Sequence, residues 1–337
     1  MNQPTRVLIV KTSSMGDVIH TLPALTDAAN AIPGIRFDWV VEEGFAEIPT
    51  WHPAVDKVIP VAIRRWRKSL LQTWKSGEWK QFKRIIGAQK YDAIIDAQGL
   101  LKSALLLRYA QGPRYGLDKD SAREPMASRL YQFPQKVEWN QHAVERVRQL
   151  FAKSLGYAVP ETPGQFLLNK EQFPSEIVQQ KPYAVFLHGT TWATKHWPEN
   201  YWCSLAQKVN QAGLHVVLPW GSEKERIRAE LIASSCDNAT VLPKLKLAEV
   251  AGVICEAKAA VAVDTGLGHL TAALETPAVS LYGPTSPVKV GAYGTGQKHL
   301  TLEQCPAGEF PATEPEIFAP MTPEVVWRAF EPLIETH

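Results

Sequence analysis

Arg6-Val-Leu-Ile-Val-Lys11 is followed by Thr12-Ser-Ser-Met-Gly-Asp17 and then by an apolar-periodic run over residues 18–30. An unbroken run of apolar, mostly β-branched residues predicts a strand that is buried on both faces, as in parallel sheets. In such folds, ligands bind beyond the carboxyl ends of the strands, next to the N-termini of the helices. This stretch therefore predicts a βα unit with a binding site in its turn.

Asp17 lies at the end of that turn, where its carboxylate can face the predicted site. Gly16 allows the backbone to approach a ligand closely. A carboxylate at a helix N-terminus is held ionised by the helix dipole, and a general base needs that state at neutral pH. Ser and Asp are also ordinary N-cap residues, so Asp17 or Ser14 could serve only to cap the helix. The turn by itself leaves both interpretations open.

The chain has 337 residues, which is too long for one ordinary compact core. Strand-like runs alternate with helical patterns throughout, and this alternation predicts α/β units. Pro and Gly residues around residues 156–182 predict a linker. We therefore predict a first domain over residues 1–170 and a second over residues 171–321. A C-terminal helix over residues 322–337 is expected to pack back on the first domain.

Composition restricts the partners and the compartment. Because 36 Lys and Arg residues oppose 34 Asp and Glu residues, no nucleic-acid partner is predicted. The four cysteines are far apart and lack zinc-binding or redox spacing, which predicts reduced thiols in a cytoplasmic protein. The first strand leaves no room for a signal peptide, and no apolar stretch approaches the roughly 18 residues that a membrane span needs. Any membrane contact is therefore expected to be peripheral.

Residues 64–84 form a strongly basic segment, with eight Lys or Arg residues against the single acidic residue Glu78. Apolar residues at helical spacing predict one stripe that faces a core, formed by Trp66, Leu70, Trp74 and Phe82. The basic residues opposite would usually form only a solvated helix face. The alternative is a site for phosphates or for an anionic lipid surface, which the Trp content favours.

Three loops of the second half, residues 190–195, 221–225 and 264–269, are expected to converge at one edge of a parallel sheet. Their small residues, hydroxyls and glycine-led helix start suit a pyrophosphate, because backbone N–H groups and the helix dipole bind anionic oxygens. Lys195 adds a full positive charge. Glu225 can bind ribose hydroxyls from the end of a middle strand, with Glu223 as the alternative.

Several familiar signatures are missing from this half of the sequence. It contains no GxGxxG and no Walker sequence, so classical dinucleotide and P-loop sites lose support. His188 and His269 lack the spacing and the accompanying carboxylates of metal-binding motifs. No metal site is therefore predicted.

Five motifs together resemble the lipopolysaccharide heptosyltransferases: Lys11-Thr-Ser-Ser-Met-Gly-Asp-Val-Ile-His-Thr-Leu-Pro-Ala-Leu25, Asp96-Ala-Gln-Gly-Leu-Leu-Lys-Ser103, His142-Ala-Val-Glu-Arg146, Lys195-His-Trp-Pro198 and Val263-Asp-Thr-Gly-Leu-Gly-His-Leu-Thr-Ala-Ala273. The resemblance covers nearly the whole chain and is closest to the members that add the first heptose of the inner core. It implies a GT-B fold, with two Rossmann-like, doubly wound α/β domains facing a central cleft. It also implies an acceptor held mostly by the first domain and ADP-heptose held mostly by the second.

The implied reaction is an inverting transfer of L-glycero-D-manno-heptose from ADP-heptose to the 3-deoxy-octulosonate (Kdo) sugar of Kdo2-lipid A. ADP-heptose is then the donor substrate, and no separate cofactor is expected. The expected location is the cytoplasmic face of the inner membrane, with peripheral contact to its surface. The alternatives are a heptosyltransferase acting on a later core heptose, a non-catalytic nucleotide-sugar-binding envelope protein and a nicotinamide oxidoreductase.

Carried over motif by motif, the resemblance implies that Asp17 is the catalytic base and that Lys195 acts at the donor diphosphate. The other residues matched to donor contacts are Thr190, Thr191, Glu225, Asp264, Thr265, Gly266 and His269. The residues matched to the anionic acceptor are Arg64, Arg67, Lys68, Arg123, His142 and Arg146. Arginine suits such an acceptor because it forms bidentate pairs with carboxylates and phosphates.

Overall fold

The computed structural model describes residues 5–69, 73, 75–174 and 176–335. The chain divides into two compact units, Met1–Asn169 and Lys170–His337. The boundary predicted from the sequence follows residue 170.

The first unit contains one parallel sheet, and its central strands are the long apolar runs. Its strands are β1 Arg6–Val10, β2 Arg36–Glu42, β3 Val55–Val61, β4 Ala93–Asp96, β5 Arg114–Leu117 and β6 Phe133–Gln135. They lie in the order β3-β2-β1-β4-β5-β6. The described helices are α1 Met15–Ile19, α2 Leu22–Ala31, α3 Glu47–Thr50, α4 Ile63–Lys68, α5 Glu78–Ile86, α6 Leu101–Leu106 and α7 Ala143–Leu155. The strand order reverses between β1 and β4, which makes a topological switch point at their carboxyl ends.

The second unit repeats this topology. Its strands are β7 Tyr183–Leu187, β8 His215–Leu218, β9 Ala239–Val241, β10 Ala259–Val263, β11 Ala278–Tyr282 and β12 Gln297–Thr301. They form a parallel sheet in the order β12-β11-β10-β7-β8-β9. The described helices are α8 Glu199–Gln211, α9 Glu223–Ala233, α10 Leu247–Cys255, α11 Gly266–Ala273, α12 Pro287–Val290 and α13 Pro323–Glu335. The switch point of this sheet lies between β7 and β10.

Three strands, β5, β6 and β12, have no clear signal in the sequence. β5 and β6 lie within residues 112–140, which are rich in Arg, Pro and Gly and have little periodicity, and β12 follows β11. β6 and β12 are sheet edges, and β5 lies next to β6. β6 and β12 are only partly buried. Short, half-exposed strands do not need the continuous apolar run that identifies a central strand.

The C-terminal helix was predicted to pack on the first domain, and that prediction is wrong. Val326 and Phe330 on α13 are fully buried in the core of the second unit, which also contains Trp202. Trp197 Nε1 donates a hydrogen bond to the carbonyl oxygen of Met321 at 2.8 Å and so holds the segment that leads into α13. Helical spacing identifies an apolar face, but it does not identify the surface that the face covers. Residues 336 and 337 lie outside the described residues.

The predicted apolar stripe of the basic segment is partly described. Trp66 and Phe82 are buried, with ring centroids 6.1 Å apart, and Trp79 packs edge-on against Trp66 at 5.6 Å. Leu70 and Trp74 lie outside the described residues. The described part of the stripe therefore faces the core of the first unit.

Arg148 on α7 is buried and connects three parts of the first unit. Its Nε donates to Asp27 Oδ2 on α2 at 2.6 Å, and its Nη1 donates to the Glu145 carboxylate at 2.8 and 3.1 Å. Its Nη2 donates to the carbonyl oxygens of Pro160 and Thr162 at 3.2 and 2.9 Å. Only 2% of the side chain is exposed.

We expect Arg148→Met to lower the free energy of unfolding of the first unit by about 3–5 kcal/mol, because the Asp27 carboxylate would stay buried without its cation. Urea titration followed by circular dichroism measures the change. The matched control is Arg129→Met, which replaces an exposed arginine and is expected to cost less than about 0.5 kcal/mol. Equal unfolding midpoints for the two variants would show that the buried pair contributes no stability.

Candidate functional site

A lysine and a carboxylate lie at the switch point of the first sheet. Lys11 directly follows β1 and is buried, and its Nζ donates to the carbonyl oxygen of Ala97 at 2.9 Å. The same Nζ lies 3.6 Å from Asp17 Oδ1. Asp17 Oδ2 accepts hydrogen bonds from the backbone N and from Oγ of Ser14, at 2.8 and 2.9 Å. One carboxylate oxygen therefore caps α1, while the other is directed toward a buried ammonium group.

This geometry is compatible with both interpretations of Asp17, as a helix cap and as a catalytic base. The capping contact with Ser14 exists, but it uses Oδ2. The side chain is 42% exposed, so a substrate hydroxyl can approach the carboxylate. A capping role and a catalytic role therefore do not exclude each other.

Asp96 and Gln98 hold the loops on either side of this switch point. Gln98 Oε1 accepts hydrogen bonds from the backbone N of Thr12 and of Ser13, at 3.0 and 3.1 Å. Asp96 is fully buried, and it accepts from Gln98 N and from the Tyr131 hydroxyl, both at 2.8 Å. Burial raises the pKa of the Asp96 carboxyl above its ordinary value. Asp96 is thus part of the framework that positions the turn carrying Asp17.

Three of the predicted acceptor residues lie on the short helix α4. The Glu42 carboxylate, at the end of β2, accepts hydrogen bonds from the backbone N of Ile63 and of Arg64 at 3.2 and 3.0 Å. These contacts start α4 at the carboxyl edge of the sheet. Arg64, Arg67 and Lys68 are all exposed on this helix. They can therefore meet an anionic ligand.

His142 is the N-cap of α7 and lies close to the helix that carries Asp17. Its Nδ1 accepts a hydrogen bond from the backbone N of Val144 at 3.2 Å, which caps α7. Its ring packs edge-on against the ring of His20, which directly follows α1, with a centroid distance of 5.2 Å. His20 and His142 are far apart in the sequence, so this contact could not be predicted from it.

Arg146 and Arg123 lie around one polar turn. Arg146 Nη2 donates to the carbonyl oxygen of Ser121 at 2.7 Å, and its guanidinium lies 3.8 Å from the centre of the Trp139 ring. Burial lowers the pKa of Arg146 below its ordinary value, although a guanidinium remains charged in proteins. Arg123 is exposed, and the backbone N of the next residue donates to the carbonyl oxygen of Gly99 in the loop after β4. This group therefore belongs to the edge of the sheet where Asp17 lies.

A second charged pair lies at the switch point of the second sheet. Lys195 Nζ donates to Asp264 Oδ2 at 2.5 Å, and Thr285 Oγ1 donates to the same oxygen at 2.7 Å. Thr190 Oγ1 donates to the backbone carbonyl of Asp264 at 3.1 Å. Lys195 and Asp264 are 21% and 11% exposed, so the pair is largely withdrawn from solvent but still accessible. The loops after β7, β10 and β11 meet here.

Helix α11 begins beside this pair. Its first residue is Gly266, and the side chain of its N-cap, Thr265, makes no capping hydrogen bond within the described structure. His269 follows in the first turn and is partly buried, while Thr191 is exposed in the loop after β7. A helix N-terminus next to an ammonium group is a favourable place for a diphosphate.

The structure distinguishes Glu225 from Glu223. Glu225 Oε2 accepts hydrogen bonds from the backbone N of Gly221 and of Ser222 at 2.7 and 3.0 Å, and its Oε1 points at Gly189 in the loop after β7. A Cβ at Gly189 would lie only 2.6 Å from that oxygen, so a larger residue there would displace the Glu225 carboxylate. Glu223 pairs with Arg226 on the solvent side of α9. Glu225 is therefore the carboxylate next to the switch-point loops.

Arg228 on α9 forms hydrogen bonds next to the turn that carries Lys195. Arg228 Nη1 donates to His196 Nδ1 at 2.9 Å, and Arg228 Nε donates to Glu199 Oε1 at 3.1 Å. His188, at the end of β7, is buried, and burial lowers its pKa to about 3. The imidazole of His188 is therefore neutral near pH 7, and the electrostatics of this cluster come from Arg228 and Glu199.

Sequence reasoning missed two residues of these sites, Lys11 and Thr285. Lys11 was quoted as part of a motif, but it received no role. The sequence did indicate a role for Lys11, because a lysine directly after a buried strand needs a specific polar partner. Thr285 had no such signal, because its contact with Asp264 joins two separate loops.

Cys203, Cys236, Cys255 and Cys305 are free thiols. Across the described ranges, no group of three or more His, Cys, Asp or Glu side chains is arranged to hold a metal ion. A membrane-spanning helix would need a longer apolar stretch than any helix in these ranges provides.

Two consecutive α/β units, each with a six-stranded sheet of the same doubly wound order, make up the GT-B fold. The second unit combines an ammonium group, a helix N-terminus and a carboxylate at its switch point, which suits a nucleotide diphosphate. Fold and site together define a GT-B glycosyltransferase.

Comparison with known proteins identifies the family. The family model of glycosyltransferase family 9 (heptosyltransferase) matches residues 79–316. Lipopolysaccharide heptosyltransferase 1 of Pseudomonas aeruginosa is 62% identical over 296 residues, which cover 88% of this chain and 83% of that protein. The chain belongs to glycosyltransferase family 9, the heptosyltransferases, as its motifs predicted.

Solved structures agree with this assignment. Escherichia coli heptosyltransferase WaaC with ADP is 49% identical, with a TM-score of 0.89 over 98% of this chain and 100% of that one. The same enzyme with ADP-2-deoxy-2-fluoro heptose is 49% identical, with a TM-score of 0.86 over 97% and 99% of the two chains. The predicted fold class and enzyme class are confirmed.

Proposed function

We propose that this enzyme transfers L-glycero-D-manno-heptose from ADP-heptose, with inversion, to the Kdo sugar of the lipopolysaccharide inner core. The observation that carries the proposal is the pair of Lys195 and Asp264 beside the N-terminus of α11. A departing diphosphate needs positive charge and oriented N–H groups at this place. The similar solved structures, which hold ADP and an ADP-heptose analogue, support this choice of donor.

The chemistry needs one base and one site for the leaving group. The acceptor hydroxyl oxygen forms a bond to the anomeric carbon as the bond from that carbon to the ADP oxygen breaks, and Asp17 takes the hydroxyl proton. Lys195 balances the negative charge that develops on ADP. The Glu225 carboxylate accepts hydrogen bonds from the ribose hydroxyls. The remaining donor contacts are assigned to Thr190, Thr191, Asp264, Thr265, Gly266 and His269.

The proposed acceptor is Kdo2-lipid A, and the proposed place of reaction is the cytoplasmic surface of the inner membrane. The Kdo carboxylates and lipid phosphates of this acceptor require cationic partners. Its anionic groups are assigned to Arg64, Arg67, Lys68, Arg123, His142 and Arg146. The exposure of the α4 cations and the position of His142 next to the helix of Asp17 support this assignment.

The experiment that tests the proposal measures ADP release by the purified enzyme from ADP-heptose. The acceptor is a deacylated inner core that carries Kdo but no heptose, and the control acceptor already carries one heptose. We expect ADP release that depends on the first acceptor. Release only with the heptose-bearing acceptor would indicate a later step, and ADP binding without release from either acceptor would indicate a binding protein.

Thr285 provides a test of the donor site that does not remove a charge. We expect Thr285→Val to lower kcat/KM for ADP-heptose about three- to tenfold, because one hydrogen bond to Asp264 contributes about 1 kcal/mol. Thr285→Ser keeps the hydroxyl and is expected to stay within about twofold of the unaltered enzyme. Unchanged kinetics in Thr285→Val would mean that this hydrogen bond does not support the donor site. Steady-state kinetics at saturating acceptor give the comparison.

A further inference from the structure

A cavity of about 480 Å³ opens on the first unit between α4, α6 and the start of α5. Its apolar wall includes Trp66, Trp79, Leu105, Leu106 and Tyr109. Trp79 packs edge-on against both Trp66 and Tyr109, with centroid distances of 5.6 and 5.4 Å. Leu105 and Tyr109 are 40% and 38% exposed. The apolar wall is thus open to solvent, although the sheet core lies directly beneath it.

Three cations also line this cavity, Arg67, Lys102 and Arg108. All three are exposed, and none of them forms an ion pair with a carboxylate of the described residues. Arg65, on the same helix as Arg67, differs, because its guanidinium lies 3.0 Å from both Glu43 and Glu78. Exposed cations that have no carboxylate partner among the described residues, placed next to an exposed apolar wall, match a ligand that has both an anionic group and an apolar chain.

We infer that this cavity binds an acyl chain of the acceptor's lipid anchor, with Arg67, Lys102 and Arg108 on the phosphate of that anchor. The inference rests on the proposed function, which makes the acceptor a glycolipid. Arg67, already assigned to the acceptor, also lines the cavity, so the two proposed sites share a residue. A second copy of this chain on the same patch would bring two sets of cations together, which opposes self-association.

Leu105→Gln tests the inference, because it makes the wall of the cavity polar at an exposed position. The quantity measured is the ratio of kcat/KM for the acylated acceptor, presented in detergent micelles, to kcat/KM for the fully deacylated acceptor. We expect this ratio to fall about fivefold, since an acyl chain loses apolar contact while the sugar does not. The matched control is Leu101→Gln, on the same helix and 41% exposed. Leu101 is not among the residues that line the cavity, so its ratio should equal that of the unaltered enzyme.

Lys102→Gln tests the cationic rim separately and is also expected to lower the ratio. Equal ratios for Leu105→Gln, Lys102→Gln and Leu101→Gln would overturn the inference. A second result would also overturn it. If the ratio for Leu105→Gln is unchanged but the variant co-sediments less with phosphatidylglycerol vesicles that contain no acceptor, the cavity holds a bulk membrane lipid and not the acceptor. Failure of the proposed function is a different result, since the unaltered enzyme would then release no ADP with the deacylated acceptor.

Discussion

Asp17→Asn is expected to lower kcat about 100- to 10,000-fold at saturating donor and acceptor, because the amide cannot take the proton of the acceptor hydroxyl. The amide oxygen can still accept the hydrogen bond that Ser14 N donates to Oδ2 at 2.8 Å. The cap of α1 is therefore kept while the base is lost. Initial rates of ADP release measure the effect, and circular dichroism checks that the fold is unchanged.

Ser14→Ala is the matched control for the capping role. It removes the hydroxyl that donates to Asp17 Oδ2 at 2.9 Å, but it leaves the carboxylate in place. We expect its rate to stay within about tenfold of the unaltered enzyme, because only one exposed hydrogen bond is lost. If Asp17→Asn kept near-normal turnover while Ser14→Ala lost stability, Asp17 would be a helix cap and not the base.

Lys195→Ala is expected to lower kcat/KM for ADP-heptose about 100- to 1,000-fold, the size of effect seen when one group that stabilises developing negative charge is removed. The loss has two causes. The departing diphosphate loses its cation, and Asp264, only 11% exposed, becomes an unpaired carboxylate beside it. Steady-state kinetics with varied donor measure the change.

Two further variants separate these causes. Lys224→Ala removes an exposed lysine from the first turn of α9 and is expected to leave the kinetics unchanged. In the double variant Lys195→Ala with Asp264→Asn, the repulsive carboxylate is gone, so we expect activity to recover in part. A double variant no better than Lys195→Ala would mean that the unpaired Asp264 carboxylate is not a main cause of the loss. Unchanged kinetics in Lys195→Ala itself would exclude Lys195 from the donor site.

The central strands of both sheets could be predicted from the sequence because parallel strands in the middle of a sheet must be apolar along their whole length. The runs ending at Val10, Leu187 and Val263 are of this kind, and each is followed by a loop with polar residues. The carboxyl ends of neighbouring parallel strands meet, so the loops carrying Asp17, Lys195 and Asp264 could be assigned to sites before their contacts were known.

The remaining features depend on residues that are distant in sequence. The apolar face of α13 is visible in its spacing, but its burial against the second unit is not. The approach of the Glu225 carboxylate to Gly189, in the loop after β7, is equally absent from the spacing. Periodicity carries no information about either feature, because both are settled by which surfaces the chain brings together.

The sequence by itself determined two doubly wound units, the strand ends where chemistry is possible and the family of the chain. It could do so because continuous apolar runs and long motifs are local properties. Only the tertiary structure decided that Lys11 faces Asp17, that Thr285 shares an oxygen of Asp264 with Lys195, and that three exposed cations line an apolar cavity beside α4. These are contacts between separate loops and helices, and such contacts exist only once the sheets have formed and set the distances between them.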